Sequence, residues 1–193
     1  TKIGQAIAIK IKADFFISTA YAGGYLWSSW LPCGNFRLGK IIMHRLFQKQ
    51  ILPVSRETLW DFVSVPQNLN QITPPDLAFR IKGEPPEKAF PGLLLEYEVK
   101  VPMLGWTPWL TEIKYVTEGY SFMDEQRVGP YKLWMHTHRL EEVEGGTKMT
   151  DDIIYQVPFG IFGSIAHVLF VRRTLERIFR YRREKLEEIF PKN

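Results

Sequence analysis

The chain of 193 residues has a hydrophobic content of 45% and a charged content of 24%, which is typical of one globular domain with a sizeable core. Its net charge of +4 lies entirely in residues 1–42. The remainder is neutral overall and lacks the excess of positive charge that is typical of a nucleic-acid-binding domain. The single cysteine, Cys33, excludes an internal disulfide and fits a reducing compartment, so a cytoplasmic location is expected.

Residues 1–42 are predicted to be an N-terminal extension outside the core fold. The run from Phe15 to Phe36 has no charged residue, but glycine, serine and proline interrupt its apolar character. A membrane span would need about 20 strongly apolar residues. A membrane anchor, a secretory signal cleaved after Ala22 and sequence upstream of a native start at Met43 remain alternatives. We expect the folded domain to comprise residues 43–193.

The domain is predicted to begin with a strand and two short helices. Residues 44–52 form the first predicted strand. Ser55 then suits the N-cap of a short helix, and Ser64 and Gln67 have the capping-box spacing that begins a second helix around residues 66–70.

Six further strands are predicted between residues 77 and 157, because apolar and polar side chains alternate there with period two. Turn signals such as Pro85-Pro86 and Gly145-Gly146 separate these strands. Consecutive strands joined by short turns predict an antiparallel meander.

A long amphipathic helix is predicted from Ser164 to Phe190, with Leu175, Phe179 and Leu186 toward the sheet. Its other side is assigned six arginines: Arg172, Arg173, Arg177, Arg180, Arg182 and Arg183. We expect this basic side to be a solvated helix face, and transient contact with an anionic membrane surface is the alternative.

Residues 122–140 carry the most informative pattern, which is two alternating strands joined by a turn at Gly129-Pro130. Because of this turn, Asp124 is predicted to pair with His136. One face of the hairpin combines two aromatic side chains with four polar ones: Phe122, Trp134, Asp124, Gln126, His136 and His138. A face built only for packing needs no such chemistry, whereas a ligand pocket does.

The order of elements is one strand, two short helices, six antiparallel strands and one long helix. The most distinctive stretches are Phe122-x-Asp124-x-Gln126-x-x-Gly129-Pro130-Tyr131-x-x-Trp134-x-His136-x-His138, Thr150-Asp151 and Val157-Pro158-Phe159-Gly160. With these features, residues 43–190 resemble the SRPBCC superfamily (START-like and birch-pollen-allergen-like proteins). The likeness is to the polyketide cyclase/dehydrase and lipid-transport type, including uncharacterised bacterial members, some of them fused to nucleotide-sugar-epimerase-like domains.

The resemblance implies an α+β helix-grip fold, in which a curved antiparallel sheet wraps around the C-terminal helix and holds a hydrophobic ligand. The partner expected is therefore a hydrophobic or amphipathic small molecule, such as a lipid, quinone or polyketide-like compound. The predicted ligand-binding residues are Tyr97, Trp109, Tyr115, Phe122, Asp124, Gln126, Trp134, His136 and His138. Leu95 is expected to add apolar area to the same pocket. The alternative for the polar members is an internal hydrogen-bond network that only fixes the hairpin.

Two other hypotheses remain open. A cyclase/dehydratase-type enzyme would use an Asp–His pair in the same cavity as a general acid–base pair. A pure interaction module would use the basic helix. A His-x-His pair beside a carboxylate also suits zinc, but the sequence assigns no third strong ligand, so no metal or other cofactor is expected.

Overall fold

The computed structural model describes residues 34–38, 41–77, 79–101, 105–158 and 170–192. In chain order, the strands are β1 (Gly34–Leu38), β2 (Ile41–Leu52), β3 (Phe79–Ile81), β4 (Leu94–Val101), β5 (Gly105–Thr117), β6 (Ser121–Val128), β7 (Leu133–Val143) and β8 (Gly146–Gln156). The helices are α1 (Arg56–Val63), a first 3₁₀ helix (Pro66–Ile72), a second 3₁₀ helix (Pro75–Leu77) and α2 (Arg172–Ile189).

The described strands form one antiparallel sheet in the order β1-β2-β8-β7-β6-β5-β4-β3. The strands β3 to β8 are the predicted meander, and β2 pairs with β8, with Leu46 opposite Ile153. The sheet curves around α2, so the predicted α+β helix-grip fold is confirmed.

The helix α1 closes one end of the core. As predicted, Ser55 is its N-cap, and the Ser55 side chain accepts a hydrogen bond from the backbone N–H of Thr58 at 3.1 Å. Leu59 and Trp60 are buried in the main apolar core. The indole N–H of Trp60 donates to Glu118 Oε1 at 2.9 Å, so the ring is held at both its apolar and its polar end.

The boundary predicted after residue 42 is wrong in part. Residues 34–38 form β1 and pair with β2, with Asn35 opposite His44. The strand β2 begins before Met43, and its edge offers backbone N–H and C=O groups that a further strand can satisfy. The change in composition therefore does not mark the start of the sheet. Residues 1–33 lie outside the described residues, and for them the extension remains a prediction.

The inward face of α2 is the predicted one. Leu175, Phe179 and Leu186 are buried, whereas Arg173 and Arg180 are exposed. The predicted start of this helix at Ser164 lies outside the described residues. Among the helices that are described, none has both the length and the apolar character needed to cross a membrane.

The assignment of six arginines to an outer side is wrong for Arg182, which is only 8% exposed. Arg182 lies seven residues after Leu175 and four before Leu186, so it belongs to the same helical stripe as these apolar residues. Arg183 is half-buried, and its guanidinium donates to the backbone oxygen of Lys49 at 2.9 Å. Sorting residues by polarity alone placed Arg182 on the wrong face.

We expect Phe179→Ala to lower the free energy of unfolding by about 3 kcal/mol, because the ring is 3% exposed and packs in the core beneath the sheet. This value is at the low end for such a truncation, since part of the ring also faces the cavity described below. Urea denaturation followed by circular dichroism measures the change. The exposed neighbour Arg180→Ala is the control and should change stability by less than about 0.5 kcal/mol. Equal effects of the two variants would contradict the packing of Phe179.

Candidate functional site

Three neighbouring strands bring the polar residues of the site together. In the β6–β7 hairpin Asp124 lies opposite His136, which confirms the predicted register. On the other side of β7, His138 lies opposite Asp151 of β8. Side chains at alternate positions share a face of the sheet, so these four groups meet on its concave side. We call Asp124, His136, His138 and Asp151 the polar cluster.

In the polar cluster, the two imidazole rings lie between two carboxylates, with ring centroids 3.8 Å apart. Asp151 Oδ1 lies 3.0 Å from His136 Nε2, in hydrogen-bonding geometry, and 3.0 Å from His138 Nδ1, as a charge contact without that geometry. Asp124 Oδ2 lies 3.5 Å from His136 Nδ1 and 3.5 Å from His138 Nε2. Each carboxylate therefore contacts both histidines.

Burial and these contacts shift the pKa values of the two histidines in opposite directions. Burial lowers the pKa of His136, and the adjacent His138 lowers it further. Burial also opposes the charge on His138, but the carboxylates of Asp124 and Asp151 outweigh it and raise the pKa of His138. Burial likewise opposes the charge on Asp151, yet the two histidines hold the pKa of its carboxyl well below the usual range. The cluster thus favours one imidazolium, at His138, between two carboxylates.

A cavity of about 440 Å³ lies between the concave face, α2 and the first 3₁₀ helix. The indole rings of Trp109 and Trp134 meet edge to face in its wall, at 5.4 Å between centroids. Leu95 lines this cavity, as do seven of the nine predicted site residues, namely Tyr97, Trp109, Phe122, Asp124, Trp134, His136 and His138.

The structure does not bring Tyr115 to the cavity. The pairing of β5 with β6 shifts register between Ile113 and Tyr115, so strict alternation fails there. Ile113 remains on the concave side, whereas Tyr115 lies near Thr137 and Arg139 on the convex side. The bulge reverses the face that period two assigned to Tyr115.

Gln126 is also absent from the cavity wall, because the hairpin turn uses its side-chain amide. Its Nε2 donates to the backbone oxygen of Tyr131 at 2.7 Å, and its Oε1 accepts from the backbone N–H of Tyr131 at 3.2 Å. Gln126 therefore stabilises the hairpin through hydrogen bonds, which was the alternative to a ligand-binding role.

Two residues of the site were missed by the sequence reasoning. Asp151 supports the histidines from β8, and its alternation with Met149 and Ile153 placed it on the concave face. Arg182 reaches the cavity from α2, and its helical spacing from Leu175 placed it there. Both signals were present in the sequence.

Asp124, His136 and His138 are the described residues that could hold a metal ion, since one ligand atom from each lies within 4.8 Å of the others. Asp124 is the carboxylate beside the His-x-His pair, and two imidazoles with one carboxylate suit zinc. The imidazolium of His138 and the positive charge of Arg182 already act on Asp124, so a cation bound there would be repelled by both. The geometry permits a divalent cation, and the charges oppose it.

No protein-family model and no curated protein matches the chain. Solved structures share its fold at low sequence identity. Protein CV1439 from Chromobacterium violaceum is 11% identical, with a TM-score of 0.58 over 78% of this chain and 99% of that protein. Ara h 8.0201 is 15% identical, with a TM-score of 0.50 over 76% and 99%.

The nucleoside-diphosphate sugar epimerase from Corynebacterium glutamicum is 22% identical, with a TM-score of 0.54 over 74% of this chain and 28% of the epimerase. The likeness is thus to a minor part of that protein. Ara h 8.0201 is Bet v1-like, with a helix-grip fold. At these identities the comparisons show the fold alone, which is a helix-grip fold.

We expect the two clustered histidines to titrate on opposite sides of their ordinary pKa of about 6.5, with His138 above it and His136 below it. Because the folded pKa of His138 is raised, its contacts stabilise the fold fully below about pH 6.5, and this stability is lost as the pH rises through the folded value. NMR titration of the imidazole C–H signals tests this, with His138→Gln to assign them. Replacing Asp124 by Asn should lower the His138 midpoint. Two midpoints near 6.5 would contradict the cluster.

We expect His136→Phe to lower the free energy of unfolding by about 1–3 kcal/mol, because it leaves the buried Asp151 without its 3.0 Å hydrogen bond. Thermal and urea unfolding measure the loss. The double variant with Asp151→Leu removes both partners and should recover part of it. No loss in the single variant would show that His136 does not support the fold.

Proposed function

We propose that the protein binds a hydrophobic or amphipathic small molecule in the cavity between the sheet and α2, as a carrier or a sequestering protein. The observation that supports this is a mainly apolar cavity of about 440 Å³ that has Asp124, His136 and His138 in its wall. Sites for small molecules are typically clefts of roughly 300–1,000 Å³ with apolar walls and a few placed polar groups.

The walls and the polar cluster have separate roles in this proposal. Trp109 and Trp134 supply flat apolar area, and the indole N–H of Trp109 is already donated to Thr111 Oγ1 at 2.9 Å. The apolar body of the ligand would pack on these rings. His138 and Asp124 would lie beside a polar part of the ligand, because their side chains line the same cavity.

The proposal places this function in the cytoplasm, with transient contact at a membrane surface during ligand exchange. The exposed Arg173 and Arg180 on α2 are the groups that would meet anionic headgroups. Two other arginines of this helix have acidic partners at 2.8 Å, Arg172 with Glu176 and Arg177 with Asp76. The surface contact is therefore expected to be weak.

Catalysis is the second candidate, and the opposed pKa shifts of His136 and His138 favour it. A neutral imidazole next to an imidazolium provides a base and an acid at one place, as an aldol cyclisation or dehydration requires. Incubation with a poly-β-keto thioester, followed by chromatography, tests this. Cyclised product from the wild type and none from His136→Gln would support catalysis, and no product from the wild type would exclude this reaction class.

We expect the neutral probe N-phenyl-1-naphthylamine to bind with a rise in fluorescence and to raise the unfolding temperature. Ile178→Trp should weaken binding at least tenfold, because Ile178 lines the cavity and a larger side chain fills it. The exposed Arg180→Trp is the matched control and should bind like the wild type. Wild-type protein that binds no probe, or a blocking variant that binds as well as the control, would overturn the proposal.

A further inference from the structure

Arg182 is a buried cation for which the described residues provide no ionic partner. Its side chain lines the cavity and is 8% exposed. Its Nε has no hydrogen-bond partner among the described residues, and its guanidinium lies over the ring of Phe179 at 4.7 Å from the centroid. A buried charge is normally paired and hydrogen-bonded, because leaving it unpaired in an apolar place is costly.

The nearest carboxylates do not fill this role. Asp124 and Asp151 attract Arg182 through space, and this attraction partly offsets the burial that lowers the pKa of the guanidinium. Their oxygens, however, contact His136 and His138 instead. Phe179 contacts both groups, since its ring meets His136 at 5.5 Å between centroids and the guanidinium of Arg182 lies over the same ring.

The shape of the Arg182 guanidinium indicates the chemistry of a partner that would fit it. A guanidinium presents N–H donors in a planar fork that matches the oxygens of a carboxylate, sulfonate or phosphate. At the cavity wall, such an oxyanion would meet donors that nothing else in the described chain uses. The rest of the same molecule would then lie among the aromatic walls formed by Trp109 and Trp134.

We propose that the ligand is an amphipathic organic anion whose acidic group is received by Arg182 while its apolar body occupies the cavity. This inference rests on the proposed binding function and specifies the ligand class for that site. The two carboxylates do not exclude an anion, because the imidazolium of His138 lies between them and Arg182 adds a second positive charge that neither of them contacts. The acidic group would approach from the side of α2, whereas the carboxylates contact the histidines on the sheet.

Two probes with the same aromatic body separate charge from apolar burial. 8-Anilinonaphthalene-1-sulfonate carries one sulfonate, and N-phenyl-1-naphthylamine lacks it. Dissociation constants at pH 7 are measured by fluorescence titration for the full chain and for Arg182→Met, with the exposed Arg180→Met as control. Methionine keeps a long flexible side chain and removes the fork.

We expect the wild type and Arg180→Met to bind the sulfonate more tightly than the neutral probe by about tenfold or more, as a charge-assisted hydrogen-bonded pair would give. Arg182→Met should lose this preference while its affinity for the neutral probe changes by less than about threefold. Arg182→Lys keeps the charge without the fork and should fall between the two.

Equal binding of both probes by the wild type would overturn the inference, and so would an unchanged preference in Arg182→Met. If Arg182→Met does not fold, the wild type and Arg182→Lys still test the inference. A preference for the sulfonate over the neutral probe that depends on the guanidinium must be larger in the wild type than in Arg182→Lys. If the neutral probe does not bind the wild type at all, the proposed function fails instead. The two failures are therefore distinguishable.

Discussion

The antiparallel register of β6, β7 and β8 is the constraint on which the site depends. It sets Asp124 against His136 and His138 against Asp151, so that each buried charge has a partner across a strand boundary. Removing one partner leaves a buried charge unpaired, and a slip of β7 by one residue would turn His136 and His138 to the convex face. The register and the polar cluster therefore stabilise each other.

This mutual pairing also explains how a polar site can lie within an apolar cavity. The contacts within the cluster run across the strands, so the carboxylates and imidazoles contact one another along the sheet. Contact with α2 is left to Phe179, whose ring meets His136 edge to face. The helix therefore covers the cluster with an aromatic ring, and Phe179, Trp109 and Trp134 all line the cavity.

The parts of the structure that follow from local periodicity could be predicted from the sequence. The turn after β6 fixed the pairing of Asp124 with His136, and Ser55 marked the start of α1. Tyr115 could not be placed, because a β-bulge changes the face of every later residue and leaves no signature in the alternation itself. The strand β1 was missed for a related reason, since pairing with an open edge depends on the backbone more than on composition.

Two of the errors within the site, at Gln126 and Arg182, change which element orients a ligand. Gln126 was expected to face the ligand, but its side-chain amide both donates to and accepts from the backbone of the hairpin turn. The histidines of β7 contact the carboxylates instead. Arg182, expected in solvent, lies in the cavity with its Nε unpaired. The polar groups of the sheet thus contact one another, whereas Arg182 of α2 has no ionic partner among the described residues. Since unsatisfied buried donors gain most from a new acceptor, the orientation of a bound molecule should be set by the helix.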